Sequence, residues 1–302
     1  MAVLSQVAVM MILILAGMLC YRLRLLPKEV NKSLSNLVLL VASPAVILVS
    51  YQKPFDADLL AGLGWSFLLA AICFAAAILL PVLLLRGGRS KEALAVERFS
   101  VTYSNCAFMG VPLIQGVYGQ EGVFYLTAFL TCFNLLVWTH GVMVMKGEMT
   151  RSSALKALRS PAILATVLGF VLFLCNVTIP AVPMQALTAV ANLNTPLAMF
   201  VAGATIAQTN LFAALKKPRI YYLCFLKLLV IPGVCMAVLR LLPVDGVVAG
   251  VNLLAVACPT AATGTLFAIE YGKDSGYASE IFALTTLFSL ATLPLVMAVW
   301  AI

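Results

Sequence analysis

Charge is what this sequence has least of. Asp, Glu, Lys and Arg together make up 10% of its 302 residues, whereas a soluble domain carries about a quarter, so water is not the solvent for most of the chain. Histidine occurs once, as His140 near the end of an apolar run. A catalytic metal usually takes three protein ligands, so an intramembrane metalloenzyme is not expected. The eight cysteines (Cys20, Cys73, Cys106, Cys132, Cys175, Cys224, Cys235 and Cys258) lie in apolar runs with no CxxC spacing and read as small packing residues. No Asp or Glu sits deep in an apolar run, since Glu97, Glu121, Glu270 and Glu280 fall near ends, which argues against a carboxylate proton relay. No polar stretch is long enough for a sizeable soluble domain, and no cofactor is implied.

What is present is apolar. Hydrophobic residues make up 63% of the chain and the mean hydropathy is +1.09. A bilayer core about 30 Å thick takes about 20 apolar residues per helix, so the expectation is an all-α polytopic membrane protein of about ten spans. They fall at Val3 to Tyr21, Leu34 to Tyr51, Leu59 to Leu85, Phe99 to Val117, Val123 to Met145, Ala162 to Val177, Met184 to Ala207, Ile220 to Leu242, Val247 to Ile269 and Ile281 to Ile302. The first run has no basic region before it and no small residue immediately before Cys20, so it reads as a retained helix rather than a cleaved leader.

The net charge of +8 has an orientational explanation. The first loop carries Arg22, Arg24, Lys28 and Lys32, the third Arg86, Arg89, Lys91 and Arg98, the fifth Lys146, Arg151, Lys156 and Arg159, and the seventh Lys216, Lys217 and Arg219. Even-numbered loops hold only Lys53 and Arg240, beside Asp56, Asp58, Glu121 and Asp245. Basic loops stay cytoplasmic, so both termini are expected outside a plasma (bacterial inner) membrane. The lipid bilayer, not nucleic acid, is the partner this basicity implies.

Ten spans divide into five plus five, joined by the basic stretch after Met145, which gives repeats at residues 1–150 and 151–302. An odd number of spans per half inverts the second copy. Ser43-Pro44-Ala45-Val46-Ile47 in span two is echoed by Thr195-Pro196-Leu197-Ala198-Met199 in span seven, and Tyr118-Gly119 after span four by Tyr271-Gly272 after span nine.

Spans four and nine carry helix breakers near their middles. One reads Tyr103-Ser104-Asn105-Cys106-Ala107-Phe108-Met109-Gly110-Val111-Pro112, the other Ala257-Cys258-Pro259-Thr260-Ala261-Ala262-Thr263-Gly264-Thr265. Interrupted helices free backbone groups that lipid cannot satisfy, and the N-terminal end of each following half attracts an anion. A small organic anion is the ligand this suits. The candidate contacts are Asn105, Pro112, Pro259, Thr260, Thr263 and Gly264, with Ser43, Pro44 and Asn194 at the paired prolines. Asn105 stands out because a buried amide needs partners for two donors and its oxygen. Lys227 is the one basic residue clearly inside a span. Lying eight residues beyond Arg219, about 12 Å deep, it can serve the ligand, make a structural hydrogen bond or snorkel toward the cytoplasm.

With these residues in view the chain resembles the auxin efflux carrier family, over almost its whole length. The resemblance is carried by Ser104-Asn105-Cys106-Ala107-Phe108-Met109-Gly110-Val111-Pro112, by Cys258-Pro259 with Phe267-Ala268-Ile269-Glu270-Tyr271, and by Lys227-Leu228-Leu229 with Pro232. It implies a scaffold from spans one, two, six and seven and a transport domain from spans three to five and eight to ten. It also implies spans four and nine crossing at their breaks, a homodimer, and an elevator-like carrier of indole carboxylates, malonate or malate. The long hydrophilic loop of plant members is missing, and Ser104 and Gly264 stand where plant carriers have prolines. The competing readings are a sodium-coupled bile-acid-type symporter, a channel, and a membrane receptor that binds without transporting.

Overall fold

The computed structural model describes residues 2–86, 90–148, 155, 158–244 and 246–301. Arg89, Arg151, Lys156 and Asp245, used above for orientation, and the junction at 150/151 lie outside the described residues. Within them the chain is all-helical, its one β feature a single antiparallel bridge between Ser104 and Thr260.

Eleven helices matter for the site: α1 (Val3–Arg22), α2 (Lys28–Ser50), α3 (Ala57–Leu84), α4 (Lys91–Thr102), α5 (Cys106–Lys146), α6 (Pro161–Leu174), α7 (Ala181–Ala207), α8 (Pro218–Leu239), α9 (Gly246–Ala257), α10 (Thr263–Glu270) and α11 (Ser275–Trp300). Among the described residues seven of these, α1, α2, α3, α5, α7, α8 and α11, are long and apolar enough to cross a membrane, and α6 and α9 are shorter apolar helices. Large aliphatic side chains such as Ile12, Leu79 and Val167 stay exposed on the helices' outer faces, as lipid contact requires.

The helices begin where short polar side chains cap them. Asp56, Ser90, Ser160 and Asp274 each accept a hydrogen bond from a backbone N–H of the first turn, satisfying donors the helix cannot. Prolines shape the interiors. Three wide π-turns, Val38–Ala42, Cys106–Gly110 and Leu226–Val230, each end two residues before a proline, at Pro44, Pro112 and Pro232. In each, the residue before the proline donates to a carbonyl five residues back; this wider turn makes room for a ring that lacks an N–H.

Two boundaries differ from expectation. The expected fourth span starts at Phe99, but helix begins at Lys91 because Ser90 caps it, and Glu97, at the seventh position of that helix, has a fully buried side chain. The expected fourth and fifth spans run on as α5 through a single non-helical residue, Gly119, with φ 64° and ψ −153°, a backbone only glycine adopts readily.

Helices α1 and α7 cross backbone to backbone. A Cβ on Gly203 would overlap the Ile14 carbonyl oxygen, and one on Gly17 the Phe200 carbonyl, so the two glycines set the closest approach, as small residues do between membrane helices. Gly203→Val is expected to cost about 3 kcal/mol through forced separation, read as a lower melting temperature of purified protein. Gly64→Ala, where an added Cβ meets nothing within 4 Å, is the control and leaves it unchanged.

Candidate functional site

The chain is extended between α4 and α5 and again between α9 and α10, and the two extended pieces cross. Tyr103 leaves the helix at φ −92°, ψ 121°. On the other strand Pro259, which has no N–H, cannot continue α9. The orphaned backbone groups satisfy one another: the Asn105 N–H donates to the Pro259 carbonyl at 2.7 Å and the Ala261 N–H to the Tyr103 carbonyl at 2.9 Å. Side chains repeat the exchange. Ser104 Oγ donates to the Val256 carbonyl in the last turn of α9 (2.9 Å), and Thr260 Oγ1 donates to the Ser100 carbonyl in the last turn of α4 (2.8 Å). Each hydroxyl thus reaches the residue four before its counterpart, and the crossing has reciprocal bonds throughout. Beyond it, the Asn105 carbonyl accepts from the N–H groups of Met109 and Gly110, which opens α5.

A cavity of about 620 Å³ lies against this crossing. Its head is polar, formed by Ser43, Ser104, Asn105 and Thr263. Its walls are aromatic and aliphatic, with Phe108 and Trp138 from α5, Phe267 from α10, and Leu39, Leu40 and Ile47 from α2. Its other end reaches exposed Leu155 and Arg159 beside the start of α6. Asn105 is 3% exposed, yet its Nδ2 has no hydrogen-bond partner among the described residues; neither has Thr263 Oγ1. A buried amide without a partner costs about 1–3 kcal/mol, and here the donor stands at a cavity that a ligand can fill.

The structure brings some expected residues together and not others. Ser43, Asn105 and Thr263 line the cavity. Asn194, fully buried, accepts the Ser43 hydroxyl at 2.8 Å, and its Nδ2 has no partner among the described residues, so it stands behind Ser43, which begins the helical segment that carries Pro44. Pro112 gives its carbonyl to Gln6 Nε2 (3.0 Å), Pro259 and Thr260 build the crossing, and Gly264 packs against Phe99; none of these four lines the cavity. Lys227 does not line it either. Its ammonium is fully buried and donates to Ser104 Oγ at 2.7 Å.

Sequence reasoning missed Phe108, Trp138, Phe267 and Asn134 as cavity walls and treated Arg159 only as an orienting charge. Phe108 carried a signal, three residues after Asn105 on the same turn; Trp138 did not, because its direction is set by the π-turn Val137–Gly141. Among the described residues no group of three His, Cys, Asp or Glu gathers that could hold a metal ion.

The sequence model of a family described as "Membrane transport protein" matches residues 2–297. An "uncharacterized transporter" of Methanothermobacter thermautotrophicus is 24% identical over 292 residues, which cover 94% of each chain.

Proposed function

The chain belongs to the membrane transport protein family, that of the auxin efflux carriers, and from that premise we propose that this membrane transporter is a carrier of small organic anions such as indole carboxylates, malonate or malate. One observation carries the reading: Asn105 Nδ2, without a partner among the described residues, at the polar head of an otherwise apolar cavity. The first turns of α5 and α10 begin at that head, and helix N-termini favour negative charge. The aromatic walls suit the organic body of such a ligand, and Arg159 at the far end attracts anions toward it.

Ten spans in two inverted repeats are part of the proposal. The reciprocal bonds of the crossing support it, as do Gly119 and Gly272, which close the corresponding segments with the same φ of 64°. Alternating access of an elevator kind, in a homodimer, with both termini outside a plasma membrane, completes it. The cavity lies where spans two and six meet spans four, five and nine, which is the boundary a moving transport domain would slide along. The tight α1–α7 crossing lies wholly within the proposed scaffold.

Uptake of radiolabelled malonate, malate and indole-3-acetate into proteoliposomes, with and without sodium and pH gradients, tests the reading. Saturable uptake of at least one carboxylate is expected. Specific binding without flux would make the protein a receptor, and currents far above carrier turnover would make it a channel.

A further inference from the structure

Lys227 lies in the wide turn Leu226–Val230 of α8, with no solvent exposure. Among the described residues no carboxylate forms an ion pair or hydrogen bond with it. The titratable groups close enough to act on its charge are thiols: Cys258 from the crossing, Cys106 from α5 and Cys235 from α8 itself, the last beside Cys73 of α3, all of them free cysteines. A lysine held this deep without an acid is costly, so something else must stabilise the ammonium.

That something is the negative side of the crossing. Helices α4 and α9 both end there, and helix C-termini carry partial negative charge on carbonyls left without a helical donor. Ser104 is the link. Its hydroxyl accepts from Lys227 Nζ at 2.7 Å while donating to the Val256 carbonyl at 2.9 Å, a combination a hydroxyl can make at once. Ser104 also lines the cavity, so the ammonium stands one side chain away from any ligand. In broken-helix carriers generally, unwound carbonyls and half-helix C-terminal ends hold a sodium ion.

We propose that the Lys227 ammonium is a covalently tethered cation of the crossing, filling at the carbonyl ends of α4 and α9 the role that a bound sodium ion fills at broken helices, so that this protein needs no sodium. The carrier reading enters only through the uptake measurements below.

The test uses purified full-length protein in detergent and in proteoliposomes. Replacing sodium by choline is expected to change neither the melting temperature nor the uptake of the unaltered protein. Lys227→Met keeps the volume and removes the charge; it folds and loses at least about tenfold in uptake. Lys227→Ala leaves a vacancy, melts about 5 °C lower, and recovers part of that in methylammonium chloride, whereas Lys227→Met does not respond. Sodium-dependent melting or uptake of the unaltered protein would overturn the proposal, as would full uptake by Lys227→Met or a Lys227→Ala protein indifferent to methylammonium. Should the alanine variant fail to fold, the methionine variant and the sodium comparison decide. If the unaltered protein carries no carboxylate at all, the carrier reading fails while the melting measurements still judge the tethered cation.

Discussion

Asn105→Ala is expected to raise the half-saturation concentration for carboxylate uptake about 10- to 100-fold and to leave the melting temperature in place. The two halves of that result come from different atoms. The hydrogen bonds that build the crossing use the backbone of Asn105: its N–H reaches the Pro259 carbonyl, and its carbonyl serves Met109 and Gly110. Alanine keeps all of them. The side-chain Nδ2 bonds nothing among the described residues, so its removal takes no hydrogen bond from the folded protein, and the packing lost with this buried side chain is offset by deleting an unsatisfied donor. Toward an anion the same donor makes a charge-assisted hydrogen bond worth about 1.5–3 kcal/mol, which is the predicted shift in half-saturation. Asn105→Asp turns the donor into a carboxylate facing an anionic ligand, and uptake should vanish. An unchanged half-saturation in the alanine variant would move the anion site away from Asn105.

The crossing was legible because its cause is local. Pro259 and the polar run Ser104-Asn105 interrupt apolar helices in a way composition alone exposes, and the extended residues fall there. Pro112 was legible as a breaker but not in its effect. It sits at the seventh position of α5, where the π-turn Cys106–Gly110 ahead of it absorbs the ring, so the interruption lies seven residues upstream. Lys227 shows a different limit. Distance along a helix can be counted from the sequence, but rotation about its axis cannot once a π-turn intervenes, so the sequence alone leaves three readings of an ammonium that the fold sets beside Ser104. The cavity walls were least legible, since Leu39, Trp138, Arg159 and Phe267 meet only through tertiary packing. The burial of Glu97 was illegible for a related reason: its partner Arg219 lies 122 residues away.

That pair carries the second large effect. Glu97 is fully buried at the seventh position of α4. Both its oxygens accept from Arg219 near the start of α8, at 2.6 to 3.2 Å, and Oε1 also accepts from Tyr277 Oη of α11 at 3.0 Å. One carboxylate thus ties three helices, and its lone pairs are engaged. Breaking a buried pair by removing one partner costs about 3–5 kcal/mol, and because the Arg219 side chain is 29% exposed and reaches water, Glu97→Ala should fall at or below the lower end. Glu97→Gln keeps the shape and part of the bonding and should lose about half as much. In Lys217–Glu280, at 2.5 Å, the carboxylate is 11% exposed but the lysine 46%, so the freed ammonium turns to water and Glu280→Gln should cost less than Glu97→Gln. Replacing both partners, as Glu97→Leu with Arg219→Met, removes the uncompensated charge as well as the bond and should recover most of the loss. Thermal unfolding of the purified variants gives the order directly. A Glu97→Ala protein melting with the unaltered one would mean that apolar packing, not this carboxylate, holds α4, α8 and α11 together. Retained stability in the double variant with lost uptake would instead give the pair a part in transport that its saturated hydrogen bonding argues against.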